Sequence, residues 1–289
     1  MLDYIIGFIV FYFFYDKIKF FINKRKVGKV PVIKGAEPRF FKGTKKTGLL
    51  LLHGLTSSPQ EMQYMFDYFK KKDYTVYAPL MPGHGTIPED LAQTTWQDWV
   101  NSSEKALEEL NQHVSNVIMA GSSNGGNVAL YIASHKSKVQ KHNIKGVISI
   151  STPVVFRRDR LIKTLLPILK IFEKNQRKFY FRKKDRKLMK SKIHYKVLPL
   201  KSVSQCLKLI KTNKQRMHKI SLPVLVLNTD TDYQLGINNG DYIYDSVASK
   251  IKEKYLVHNA YHVIVYDSDS RKRLKIFRAA EQFMHKLNL

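Results

Sequence analysis

The chain has 289 residues, 44% hydrophobic and 25% charged, an ordinary balance for one large globular domain with or without a small insertion. Its one cysteine, Cys206, excludes an intrachain disulfide, and the sequence holds no internal repeat and no zinc-spaced cluster of Cys and His. The net charge of +27 is not ordinary, and it is uneven: Arg157 to Arg216 holds 21 Lys/Arg against Asp159, Glu173 and Asp185. Such a stretch concentrates anions, whether phospholipid headgroups, nucleic acid or acidic substrates, unless it is simply a solvated lysine-rich surface.

The N-terminus, Tyr4 to Tyr15, is apolar all round with no amphipathic period. A spanning helix needs roughly 20 residues. The apolar stretch reaches that length only if it runs to Ile22, with Lys17 and Lys19 snorkelling to the headgroups. A cleaved signal peptide would carry positive charge before the apolar run and small residues after it. Here Asp3 precedes the run, and Lys17, Lys19, Lys24, Arg25 and Lys26 follow it. Residues 1–26 therefore read as an uncleaved anchor or interfacial helix, with the following domain on the cytoplasmic side of a membrane. A signal peptide and a buried helix are the rival readings.

From Gly48 the chain alternates short apolar runs with helical stretches. Gly48–Leu52 reads as a strand, Pro59–Lys72 as a helix with Met62, Met65, Phe66 and Phe69 on one face, and Tyr74–Ala78 as a strand. Trp96–His113 is helical, Asn116–Ala120 a strand, Gly125–His135 a helix and Ile144–Ile150 a strand. Val224–Leu227 and Ile251–Val257 are further strands, and Ser270–Leu287 is a final helix. The alternation implies a mostly parallel sheet flanked by helices, and runs such as LLLL and VLVL suit strands buried on both faces. Pro153–Leu222 breaks the rhythm: basic, helical in composition, with no clear strand. The expected organisation is a core in two parts, 37–153 and 223–289, interrupted by a basic helical cap at 154–222.

Gly121-Ser-Ser123-Asn-Gly125 is a G-x-S-x-G pattern set between an apolar strand and a helix. A nucleophilic serine needs a strained strand-to-helix turn that exposes its hydroxyl, and side chains two positions away on either side would collide there. The helix that follows aims N–H groups at a developing oxyanion. A phosphate-binding glycine turn is the rival, but no Walker lysine or G-x-G-x-x-G accompanies the pattern. Ser122, one residue off the apex, should point away. The loop Leu52-His53-Gly54-Leu55-Thr56 can supply a second oxyanion donor, so the pair is read as the backbone N–H groups of Leu55 and Asn124. His53 reads as a residue that orders this loop. A carboxylate past the buried strand Val224–Leu227 would orient a base; Asp232 and Asp230 both stand there. His262 lies between the last strand and the last helix, where a base can reach Ser123, and His258 is its alternative.

Taken together, Phe40 through LLLLHGLTSSPQEM, Ala78-Pro-Leu-Met-Pro-Gly-His-Gly-Thr86, Thr95-Trp-Gln-Asp-Trp99, the GSSNGG elbow and the YHVI loop resemble the bacterial carboxylesterase and monoacylglycerol lipase family of α/β-hydrolases. The resemblance runs from about Glu37 to the C-terminus, the cap excepted. It implies an α/β-hydrolase fold and a triad of Ser123, Asp232 and His262, and it is what favours Asp232 over Asp230. It also implies hydrolysis of short- to medium-chain esters, including monoacylglycerols, through an acyl-enzyme that needs no metal or cofactor. Departures are Ser122 and Asn124 where bulkier apolar residues are common, Leu55 for a usual phenylalanine, a longer and more basic cap, and the apolar N-terminus. The cap and N-terminus point to an anionic membrane surface, where monoacylglycerol or lysophospholipid is within reach. Alternatives are a phospholipase or acyltransferase on the same site, or a membrane-tethered binding protein without catalysis. Nucleic-acid binding lacks any aromatic-rich module or recognition-helix pattern.

Overall fold

A computed structural model describes residues 27–156, 164, 166, 175–178, 188–232 and 238–289. The expected anchor at 1–26 and most of 157–187 lie outside the described residues. Among the described residues no helix is long and apolar enough to cross a membrane.

In chain order the elements are β1 (Arg39–Phe41), β2 (Thr47–Leu52), a 3-10 turn (Pro59–Met62) leading into α1 (Gln63–Lys70), β3 (Thr75–Ala78), the single turn α2 (Pro88–Leu91), α3 (Trp96–Asn111), β4 (Asn116–Ser122), α4 (Asn124–Ala133), α5 (Lys136–Lys141) and β5 (Ile144–Ile150). There follow β6 (Asn175–Arg177), β7 (Val197–Pro199), α6 (Leu200–Arg216), β8 (Val224–Thr229), α7 (Asn239–Ser246), β9 (Lys252–Val257) and α8 (Ser270–Lys286). Seven strands form one sheet in the order β1-β3-β2-β4-β5-β8-β9, with β1 antiparallel and every other pairing parallel.

The apolar runs bury both faces of this sheet. Successive strand residues point to opposite sides, so Leu49 and Leu51 of β2 pack with Met65, Phe69 and Phe283, while Leu50 and Leu52 pack with Leu107, Leu110 and Val128. Ile118 and Ala120 of β4 join the first layer and Val117 and Met119 the second. Helices α1 and α8 therefore cover one face, and α3, α4 and α6 the other. Helix α3 starts at a reciprocal cap: Thr95 Oγ1 accepts from Asp98 N at 3.3 Å, and Asp98 Oδ2 accepts from Thr95 N at 2.8 Å.

The basic stretch departs from its strandless reading. Strands β6 and β7 pair antiparallel as a separate two-stranded sheet. Three residues apiece are too short to leave a period in the sequence. Helix α6 packs against α4, with Asn213 Nδ2 donating to Asn127 O at 2.9 Å.

Strand order reverses between β2 and β4: the chain passes outward from β2 to β3, then returns to the other side of β2 as β4. The carboxyl ends of two strands flanking such a reversal open a crevice, the usual place for a ligand in a parallel sheet. Leu52 of β2 is in register with Gly121 of β4. The His53–Thr56 loop and the serine turn thus leave the sheet side by side.

Candidate active site

Ser123 sits at the apex between β4 and α4 with φ 52° and ψ −117°. For a non-glycine residue this is a strained backbone, held by its surroundings. Ser123 N donates to Ile150 O at 2.8 Å, and its carbonyl accepts from Gly126 N at 3.0 Å. The flanking glycines are required by contact. A Cβ on Gly121 would stand 2.3 Å from the Gly125 backbone, and one on Gly125 would stand 2.3 Å from Leu52 O.

His262 Nε2 lies 3.1 Å from Ser123 Oγ, and His262 Nδ1 lies 2.5 Å from Asp232 Oδ2. An ionised carboxylate only accepts, so Nδ1 carries the proton and Nε2 is left to accept from the serine hydroxyl. The histidine and the aspartate are both buried. Burial alone would lower the histidine's pKa. The Asp232 charge and hydrogen bond overcome it, and the pKa is raised above its ordinary value.

The loop that carries His262 is tied at several points. Ala260 O accepts from Thr229 Oγ1 at 3.2 Å and from Thr231 Oγ1 at 2.8 Å. Tyr261 N donates to Asp267 Oδ2 at 2.7 Å, and Val263 and Ile264 are buried in the core. Asp230 and His258, the rivals of Asp232 and His262, pair with each other: His258 Nδ1 stands 2.7 Å from Asp230 Oδ2. His258 has 75% of its side chain exposed.

The Leu55 loop is pinned on both sides of its key peptide. Gly54 O and Leu55 N–H belong to one peptide unit and point in opposite directions. The carbonyl is held at 3.0 Å by His53 Nδ1 and at 3.2 Å by Ser57 N. His53 Nε2 accepts from Met81 N at 3.2 Å, which fixes the tautomer, and burial lowers its pKa to about 4, so the ring stays neutral. His53 thus orders the loop, as read from the sequence. Among the described residues, neither Leu55 N–H nor Asn124 N–H donates to an acceptor. Among the described residues no group of three or more His, Cys, Asp or Glu could hold a metal ion.

Two residues behind this loop carry no catalytic signal in the sequence. Glu61 Oε1 accepts from Gly54 N at 2.9 Å, and Glu61 Oε2 pairs with Lys192 Nζ; both side chains are 2% exposed. Glu61 lies within TSSPQEM, but nothing separates Lys192 from the other cations of its basic stretch.

The family model described as serine aminopeptidase, S33 matches residues 43–269. The chain belongs to this α/β-hydrolase family. As a member of the S33 family it is similar to the thermostable monoacylglycerol lipase of Bacillus sp. (strain H-257), at 31% identity over 83% of this chain and 91% of that protein. It is also similar to the carboxylesterase of Bacillus subtilis (strain 168), at 23% identity over 87% of this chain and 97% of that one. Among solved structures, one from a study of the metagenome-derived lipolytic enzymes LipS and LipT superposes with a TM-score of 0.76 at 24% identity, covering 89% of this chain and all of that one.

Proposed function

We propose that this S33 family member is a carboxylic ester hydrolase that acts on lipid esters such as monoacylglycerol, with Ser123 as nucleophile, His262 as base and Asp232 as its orienting carboxylate. The observation that carries the reading is the pair of hydrogen bonds, 3.1 Å and 2.5 Å, joining these three side chains at a strained serine turn. The lipase and esterase relatives support the ester class.

Ser123 Oγ attacks the ester carbonyl carbon while His262 Nε2 takes its proton. Asp232 keeps Nδ1 protonated and stabilises the cation that forms. The Leu55 and Asn124 amides donate to the developing oxyanion, each contributing about 3 kcal/mol to the transition state. His262 then protonates the leaving alcohol, and the ester bond breaks to an acyl-enzyme. Water, deprotonated by the same nitrogen, releases the carboxylic acid and restores Ser123.

Residues 1–26 and the basic stretch support a second part of the proposal: the domain works at an anionic membrane surface, with 1–26 as its anchor and 154–222 as its cap. The nucleophile is tested with a fluorophosphonate probe on the wild type and Ser123→Ala. Labelling of the wild type only is expected, and equal labelling of both overturns the assignment. Release of fatty acid from monoacylglycerol, with no turnover of aminoacyl anilides, is expected for the substrate class. Cell fractionation tests the anchor: the intact chain is expected with membranes, and full recovery in the soluble pool with residues 1–22 intact overturns it.

A further inference from the structure

Ordinary catalysis at Ser123 makes no use of a buried ion pair, yet one lies directly behind the site. Leaving Glu61 and Lys192 buried and charged is expensive unless each partner satisfies the other. Their placement ties them to the chemistry. Gly54, whose N–H the Glu61 carboxylate accepts, has no room for a side chain: a Cβ there would stand 3.1 Å from Glu61 Oε1 and 3.3 Å from Ser123 Cβ. Glu61 therefore packs immediately behind the peptide that leads into Leu55.

Lys192 begins a strap that closes over the same loop. Ile193 N donates to Gln60 Oε1 at 2.6 Å, Ser58 Oγ to Ile193 O at 3.2 Å, and Tyr195 N to Thr56 O at 2.9 Å. Tyr195, buried, donates its hydroxyl to Gly83 O at 2.8 Å. The strap thus runs antiparallel along Thr56–Gln60, and the ion pair is its innermost contact. We infer that Glu61 and Lys192 are positioning residues for the hydrolase: Glu61 holds the Gly54–Leu55 oxyanion loop in its donating conformation, and Lys192 cancels the Glu61 charge so that the His262 base is left under the control of Asp232. This rests on the reading of Ser123 as nucleophile.

The charge half of the inference has a definite sign. His262 is bonded to Asp232 and feels the charges of Glu61 and Lys192 as well; the two carboxylates favour its cation, and Lys192 opposes it. Around the pair itself stand His53 and His84, both kept neutral chiefly by burial, and Lys178 and His194, lowered mainly by burial to about 7 and about 4. Burial opposes the charge on Glu61, but Lys192 holds the carboxyl at about 2, so Glu61 stays ionised across the working range.

The test uses four variants of the full chain and a soluble short-chain p-nitrophenyl ester. Lys192→Met leaves Glu61 uncompensated, and the acid limb of kcat/KM is expected to move up by roughly half a pH unit. Glu61→Gln keeps an acceptor for Gly54 N–H but leaves Lys192 uncompensated, and the limb is expected to move down by a similar amount. The E61Q/K192M double should return the limb to the wild-type position with kcat near wild type. The E61L/K192M double is equally neutral but offers Gly54 no acceptor, and its kcat is expected to fall about 10- to 100-fold with KM little changed. A purely structural role would lower thermal stability in all four without opposed limb shifts. Limb shifts of the same sign in the two singles, or equal kcat in the two doubles, overturn the inference. If a single variant does not fold, the contrast between the doubles decides alone. Probe labelling of wild type against Ser123→Ala, run alongside, separates this outcome from failure of the nucleophile assignment.

Discussion

Two carboxylate–histidine pairs stand at the same end of the sheet, built from the same two loops. Asp232 with His262 and Asp230 with His258 have N–O distances of 2.5 and 2.7 Å. By distance alone they are nearly the same interaction. Their surroundings separate them. The first pair has side chains 10% and 7% exposed and a serine hydroxyl on its far nitrogen; the second has side chains 75% and 35% exposed, and its carboxylate also accepts from Asn259 N. Water screens the outer pair, while burial strengthens the inner one and leaves its histidine one free acceptor aimed at Ser123. On the proposed assignment, reactivity follows burial and the third partner, not the presence of an acid beside a base.

The most severe loss should come from Asp232→Asn. It leaves the shape intact but removes the carboxylate charge and lets an amide N–H face Nδ1, which favours the wrong tautomer, and kcat should fall about 10⁴-fold. Asp230→Asn, measured in the same assay, should change kcat less than about twofold.

The pH profile probes the same contrast. With His262 as the proposed base, catalysis needs its neutral form, so kcat/KM should fall as pH drops through its pKa. That pKa is raised, so the acid limb should lie above the ordinary histidine value. In Asp232→Asn the largest force opposing burial is gone, and whatever activity remains should show a limb below that value. A limb unmoved by this substitution would mean that His262 is not the titrating base.

Stability draws the line between buried and exposed charge a second time. Removing one partner of the buried pair, as in Lys192→Met, should cost about 3–5 kcal/mol in denaturant unfolding. Breaking the exposed Lys141–Glu108 pair should leave the unfolding midpoint essentially unmoved.

Asn124 is the converse case, polar and buried without a partner. Among the described residues neither its Oδ1 nor its Nδ2 finds a hydrogen bond, although the residue is 1% exposed. Asn124→Leu should therefore raise stability by about 1–2 kcal/mol, read from the melting temperature, while its backbone N–H remains in place. The mildest change belongs to the outer pair: His258→Asn should shift stability by no more than about 0.5 kcal/mol.

Much of the sheet and one member of the site are legible in the residues alone. Continuous apolar runs announce β2, β4, β5 and β8, because strands buried on both faces need no alternation. The edge strand β1 and the pair β6 and β7 leave no period to read, being only three residues each. The Ser123 turn can be read because its strain and crowding demand glycine at 121 and 125, a constraint local in the chain. The choice between Asp230 and Asp232 cannot be read from spacing, since both follow β8 and differ only in which way the loop carries them. Lys192 is illegible for another reason: its partner is 131 residues away, and its composition matches every neighbour.

Residue types and near neighbours are enough to specify the strand-to-helix turn that bears Ser123, the succession of strands and helices around it, and the candidate acids and bases. Packing between distant parts of the chain is what selects the carboxylate that meets His262, pairs Asp230 with His258 at the surface, and backs the Leu55 loop with a buried Glu61–Lys192 pair. Each of these depends on where the sheet brings distant loops together and on how much water it leaves between them, and neither is written in local spacing.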